Sequence, residues 1–231
     1  MFPLKDDNPS NTAPIVTVAL IVLNALVYLY QFSLWVGGPE GVQAFEDFIK
    51  EFGLVPCHLT GACPVGPDLP VPVLTIFTSM FMHGGLVHLA GNMLYLWIFG
   101  NNVEDTLGHT RYLAFYLLSG IAAALAQTLV GPGSVVPMVG ASGAISGVLG
   151  AYLVLFPGAR VTTLIILGFF FRLVQIPAMV VLGFWIVLQV LNGLGSFGAS
   201  GGVAFFAHIG GFVAGMGLLF VLRPRAGSRT A

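Results

Sequence analysis

The chain has 231 residues, 57% of them hydrophobic and only 7% charged, with a formal net charge of -1. A soluble domain carries roughly 25% charged residues, so this composition describes a multi-pass membrane protein. The near-zero charge balance offers no footprint for nucleic acid and leaves lipids and other membrane proteins as the partners to expect.

Lys5 is followed by Asp6 and Asp7, and the apolar run after them is too long for a signal peptide and lacks a small-residue cleavage site. That run is expected to stay as a helix. A span needs about 20 apolar residues. Four uncharged runs supply them, at 8–39, 69–103, 112–159 and 173–222. The last two are long enough for two spans each and break at Gly131-Pro132-Gly133 and across 193–202. The expectation is an all-α polytopic bundle in one membrane domain over 1–231. Its six helices lie near 14–36, 83–103, 111–130, 142–157, 175–194 and 203–222.

Basic residues tend to stay cytoplasmic. With both termini inside, Lys5, Arg111, Arg160, Arg172, Arg223, Arg225 and Arg229 are all cytoplasmic and only Lys50 is outside. The loop at 37–72 is then extracytoplasmic. Within it, Phe45, Phe48, Ile49 and Phe52 recur at helical spacing between Glu46, Asp47, Lys50 and Glu51, with Gly53 as a stop. This pattern reads as a short helix lying on the membrane surface. Cys57 and Cys63, the only cysteines, form either a small disulfide loop or two free thiols. With His58 they make a poor metal set in a flexible loop, and neither metal nor cofactor is expected. Residues 161–171 are uncharged but span only about 16 Å even as a helix, too short to cross, and are expected at the inner interface.

Two motifs in the apolar runs carry chemistry. Gly140-Ala141-Ser142-Gly143 is a turn that exposes a serine hydroxyl, and His208 sits 66 positions later in a stretch where an imidazole is expensive without a partner. Counted from the inner ends of their helices, Ser142 and His208 each lie about 22 Å deep. His88 and Asn92, four apart on one helical face with Tyr95, come out at about 24 and 18 Å, bracketing that level. Gly143, Gly147 and Ala151 repeat every fourth position, as do Ala207, Gly211 and Gly215, and such stripes let backbones approach closely.

The serine is therefore expected in a recessed pocket reached by water from outside, with segment 134–141 dipping inward. His88 and Asn92 are suited to stabilising an oxyanion. His83, placed at the outer surface, and Gly140, in the turn before the serine, are candidates for positioning water or substrate. No acidic residue falls inside a span, so the sequence offers a Ser142–His208 dyad rather than a triad. Glu104 and Asp105 are expected to anchor the following turn with Arg111, and His109 has no assigned role.

These residues resemble the rhomboid family of intramembrane serine proteases. The resemblance covers roughly 14–222 and rests on three landmarks: His83-Gly-Gly-Leu-Val-His88-Leu-Ala-Gly-Asn92, Gly140-Ala-Ser142-Gly, and Ala207-His208-Ile-Gly-Gly211. It implies Ser142 as nucleophile and His208 as general base and then acid, with the Ser142 amide, His88 and Asn92 as the oxyanion site. It also implies a gate and cap in the fifth helix and residues 195–202, and single-span transmembrane substrates. One departure is Leu74-Thr75, where some bacterial members carry Trp-Arg.

The reading from these residues is a serine endopeptidase cutting in or near transmembrane helices, in a prokaryotic plasma membrane. The alternatives are a non-catalytic relative that binds and escorts membrane helices, and a channel or transporter. For the last, charged or repeated half-helices would be expected at the midplane. Since His208 must be neutral to act as a base, activity is expected to fall on acidification through about pH 6.5 or below, given its burial.

Overall fold

The structure is a computed structural model that describes residues 2–67, 69–168, 170–196 and 202–224. Helices dominate it. Helix α1, Ile15–Trp35, turns at Gly37 into α2, Gly38–Phe52, and a short α3, Pro56–Thr60, follows. Helix α4, Pro72–Thr78, runs through a 3-10 turn at Ser79–Phe81 towards α5, Leu86–Leu107, which leaves at 81° to it. Then come α6 (His109–Val130), α7 (Ser142–Leu155), α8 (Ala178–Gly195) and α9 (Phe205–Leu222).

Among the described residues, α1, α6, α8 and α9 are long and apolar enough to cross a membrane, and the bent pair α4 and α5 makes a fifth candidate. Helix α7, with 14 residues, reaches only about 21 Å. Its shortness sinks its first residue, Ser142, below the ends of its neighbours.

Packing follows a rule suited to lipid. On α1 the buried positions are Thr17, Leu20, Asn24 and Gln31, while leucines, valines and a tyrosine face outward. Polar side chains turn inward because hydrocarbon cannot satisfy them. Helix α9 packs chiefly on α6 and α7. There the two small-residue stripes meet: a Cβ added at Gly211 would strike the Gly143 carbonyl, and one at Gly215 the Gly147 carbonyl. Backbone contact of this kind is available only to glycine. The inner part of the core is aromatic, with Phe99, Phe115, Tyr112, Tyr116 and Tyr152 fully buried and Phe99 set edge-on to Tyr152 at 4.9 Å.

Two connections depart from the expected bundle. An antiparallel three-stranded sheet is added to it, in the order β1 (Phe2–Asp6), β2 (Arg160–Leu167), β3 (Phe170–Pro177). The segment at 161–171 is thus strand and turn rather than a possible short helix. Its run of Val161, Thr162, Thr163, Leu164, Ile165 and Ile166 is rich in β-branched residues, whose side chains are crowded in a helix and fit a pleated surface. Because β3 takes up 175–177, α8 begins three residues later than expected.

The other change concerns Glu104 and Asp105. They bind the start of α1, not Arg111. Glu104, fully buried, accepts hydrogen bonds from the backbone N–H of Val16 and Thr17, both at 2.8 Å, and from the Thr17 hydroxyl at 2.7 Å. Asp105 accepts from Asn11 and Thr12. The first N–H groups of any helix lack internal partners, and a carboxylate there also complements the helix dipole. His109 lies 2.6 Å from Glu104 through Nδ1.

At the opposite end of α1, α2 forms where the phenylalanine spacing places it, and Gly53 N–H closes it on the Ile49 carbonyl at 2.9 Å. Phe48 packs edge-on against Tyr30 of α1 at 5.4 Å. Cys57 and Cys63 are joined in a disulfide, with Cα atoms 5.3 Å apart.

Candidate active site

The polypeptide before α7 is shaped by Gly140. Its φ of +128° lies where side-chain-bearing residues are strained, and a Cβ there would come within 2.8 Å of the His88 ring. Gly140 N–H donates to the Ser79 carbonyl at 2.9 Å, tying this loop to the 3-10 turn. With no side chain in the way, His88 stands directly against the turn that leads to Ser142.

Ser142 Oγ and His208 Nε2 are 2.8 Å apart, one from the first residue of α7 and the other from the first turn of α9. The glycine contacts between the two helices set that distance. Both side chains are part-buried and face a cavity of about 760 Å³, also lined by His88, Asn92, Trp185 and Gln127. Its size is that of a ligand site, roughly 300–1,000 Å³. No acidic side chain among the described residues lines it.

On α5, His88 and Asn92 reach the cavity together, one turn apart. Asn92 Nδ2 donates to His83 Nε2 at 2.9 Å. His83 itself is a correction to the expectation: it is completely buried instead of lying at the outer surface. The bend between α4 and α5 carries it inward, and Gln31 of α1 holds its backbone on both sides, accepting from its N–H at 3.0 Å and donating to its carbonyl at 3.2 Å. Its ring stands edge-on to His88 at 5.1 Å.

Two glutamines that carry no role in the sequence reading sit at the site. Gln127 Oε1 accepts from the Ala207 N–H at 3.1 Å, one residue before His208, and so holds the start of α9. Gln189 Oε1 lies 2.8 Å from His208 Nδ1. Trp185, one turn before Gln189 on α8, lies with its ring tilted against the imidazole, centroids 5.8 Å apart. The available signal was an uncharged polar residue in an otherwise apolar span, which needs a partner. The cap expected at 195–202 falls largely on 197–201, outside the described residues, as do Arg225 and Arg229.

A multi-pass helical membrane protein with a serine and a histidine hydrogen-bonded beside a recessed cavity is the class this arrangement defines. The rhomboid domain family model matches residues 72–225, and the chain belongs to the rhomboid family. Its similarity to RHOMBOID-like protein 4 of Arabidopsis thaliana is 35% identity over 223 residues, covering 90% of this chain and 52% of that one. Rhomboid protease GluP of Bacillus subtilis is 34% identical over 154 residues, covering 66% and 27%. Rhomboid protein 1, mitochondrial, of Saccharomyces cerevisiae is 33% identical over 160 residues, covering 66% and 42%. The chain therefore spans about half or less of the length of these relatives.

Proposed function

We propose that this chain is an intramembrane serine endopeptidase that hydrolyses peptide bonds in or near transmembrane helices of other membrane proteins. The observation that carries this reading is the 2.8 Å contact between Ser142 Oγ and His208 Nε2 at the edge of the cavity. The Ser142 hydroxyl gives its proton to Nε2 as Oγ attacks the substrate carbonyl carbon. The oxyanion so formed is met by the Ser142 N–H, His88 and Asn92. As the first residue of α7, Ser142 has an N–H without an intrahelical partner.

Asn92 is already donating one N–H to His83 and has a second for the oxyanion. His83 then acts by orienting Asn92 and does not touch water or substrate itself. Gly140 contributes by leaving room for His88. His208 returns its proton to the leaving amine, and water admitted from the outer face resolves the acyl-enzyme.

Six spans with both termini cytoplasmic, in a single domain, complete the proposal. The sheet supports this sidedness: β1 and β2 carry Lys5 and Arg160 beside the inner end of α7, where Tyr152 bonds Asp6. A prokaryotic plasma membrane is the proposed residence; the family members above include a bacterial and a mitochondrial protein.

Purified wild type and Ser142→Ala, incubated with model transmembrane substrates and a fluorophosphonate probe, test the reading. Cleavage and labelling are expected in the wild type alone, with a loss of roughly a millionfold in the variant. Equal behaviour of the two would reject the dyad and favour a protein that escorts helices without cutting them.

A further inference from the structure

An imidazole can act as the base only in one of its two neutral tautomers, with the proton on Nδ1 and the lone pair of Nε2 on the serine. In a soluble triad a carboxylate at Nδ1 enforces this. The cavity has no acid among the described residues, and a carboxylate at this depth would carry a heavy desolvation cost. Something uncharged has to take its place.

Gln189 of α8 stands there, with Oε1 2.8 Å from His208 Nδ1. The weakness of an amide in this position is that it can turn its NH2 group to the imidazole and hold the wrong tautomer. Here Nε2 of Gln189 is directed back to the Trp185 carbonyl, 3.5 Å away and one turn earlier on the same helix. A carbonyl only accepts, so the NH2 belongs on that side and the amide oxygen faces His208. The amide oxygen also only accepts, so the hydrogen belongs on Nδ1. Nε2 then has a free lone pair, and the Ser142 hydroxyl, 2.8 Å from it, is the donor. Trp185, its ring tilted 37° to the imidazole at 5.8 Å, limits rotation of the ring.

We propose that Gln189 is a positioning residue for the serine–histidine pair: its amide oxygen holds His208 in the Nδ1–H tautomer and in the rotamer that turns Nε2 onto Ser142. This rests on the dyad reading above. The neutral acceptor stabilises the imidazolium through a dipole, which asks less desolvation of the fold than an anion. Residues 185 and 189, four apart, share one face of α8, so a single helix face supplies both the ring contact and the hydrogen bond.

Gln189→Leu keeps the approximate bulk and removes the acceptor, while Gln189→Glu, assayed at alkaline pH so that its carboxyl is ionised, keeps an acceptor and cannot donate. In the full chain, kcat and KM on a model transmembrane substrate, the rate of fluorophosphonate labelling, and 15N spectra of labelled histidines are measured for both. The His208 signals are assigned by their loss in His208→Gln. For Gln189→Leu, labelling and kcat are expected to drop about tenfold to a hundredfold at nearly constant KM. Its His208 spectrum should become a mixture of tautomers.

Gln189→Glu should keep the Nδ1–H tautomer and recover labelling to within about tenfold of wild type. Wild-type tautomer and labelling in Gln189→Leu would overturn the proposal. So would equal losses in both variants, which point to a packing role. If the wild type itself does not label at Ser142, the protease reading fails, and the tautomer spectra of the two variants still decide whether Gln189 orients His208.

Discussion

Two polar clusters are buried in this apolar chain, and they differ in how completely they are satisfied. Around Glu104, at the inner end of α5, the carboxylate oxygens are used up by the Val16 and Thr17 amides, the Thr17 hydroxyl and His109. Around Ser142 and His208, the same density of polar groups opens on a cavity, and Asn92 has a donor to spare. A saturated cluster stabilises the fold, since each of its groups would be costly if left alone. An open one has capacity for a further molecule. Charge is a poor guide here: among the described residues the one fully buried acid, Glu104, is a helix cap, while the candidate site is built from uncharged groups.

Substitutions should separate the two clusters. The largest expected effect is at the open one, where Asn92→Ala or His88→Ala removes a proposed oxyanion donor. Each should lower kcat by about a hundredfold to a thousandfold, with thermal unfolding in detergent nearly unchanged. A matched loss of stability would mean that the two residues are structural, like Glu104.

At the closed cluster the readout inverts. Glu104→Ala strands two backbone N–H groups and a hydroxyl, and should cost about 2 to 3 kcal/mol of stability, while the molecules that remain folded label at Ser142 at the wild-type rate. Both quantities come from one sample, melted and labelled in parallel.

The smallest effect concerns Asp6, buried in β1 and accepting a 2.6 Å hydrogen bond from the Tyr152 hydroxyl. Burial raises its carboxyl above the ordinary carboxylate value; the Tyr152 bond works against this, and the neighbouring Asp7 charge works with it. A raised folded-state value means that the folded protein holds this proton more tightly than the unfolded chain does. The resulting stabilisation is complete at pH values below the unfolded carboxyl range and is lost as pH rises through the folded value. Asp6→Asn should therefore flatten the fall in melting temperature between about pH 4 and neutrality, by about 2 °C. A variant whose melting curve keeps the wild-type slope would remove Asp6 from the account.

Much of the site could be read before the fold because its residues sit where they are expensive. A histidine in an apolar run, a serine after glycine at the start of a short helix, and a histidine and asparagine one turn apart each break a local pattern. What escaped takes its meaning from a partner elsewhere in the chain. Gln189 is one polar residue in an apolar helix, and its meaning depends on where His208 arrives from a different helix. His83 was placed at the surface because depth was counted along one straight helix, and the 81° bend between α4 and α5 is a tertiary feature. The sheet was missed because strand β1 lies at residues 2–6 and pairs with β2 more than 150 residues later.

By itself, the sequence determined that the chain is a polytopic helical membrane protein, and it led to the expectation that Ser142, His208, His88 and Asn92 lie at similar depths. These follow from hydrophobicity and helical rise, which are local and additive along the chain. Only the tertiary structure decided the 2.8 Å contact between Ser142 and His208, the orientation of the Gln189 amide, the burial of His83 and the capping of α1 by Glu104. Each is a hydrogen bond or a close approach between distant parts of the chain. Such contacts depend on distances of a few tenths of an ångström, set here by glycine-to-carbonyl packing that no single helix can specify.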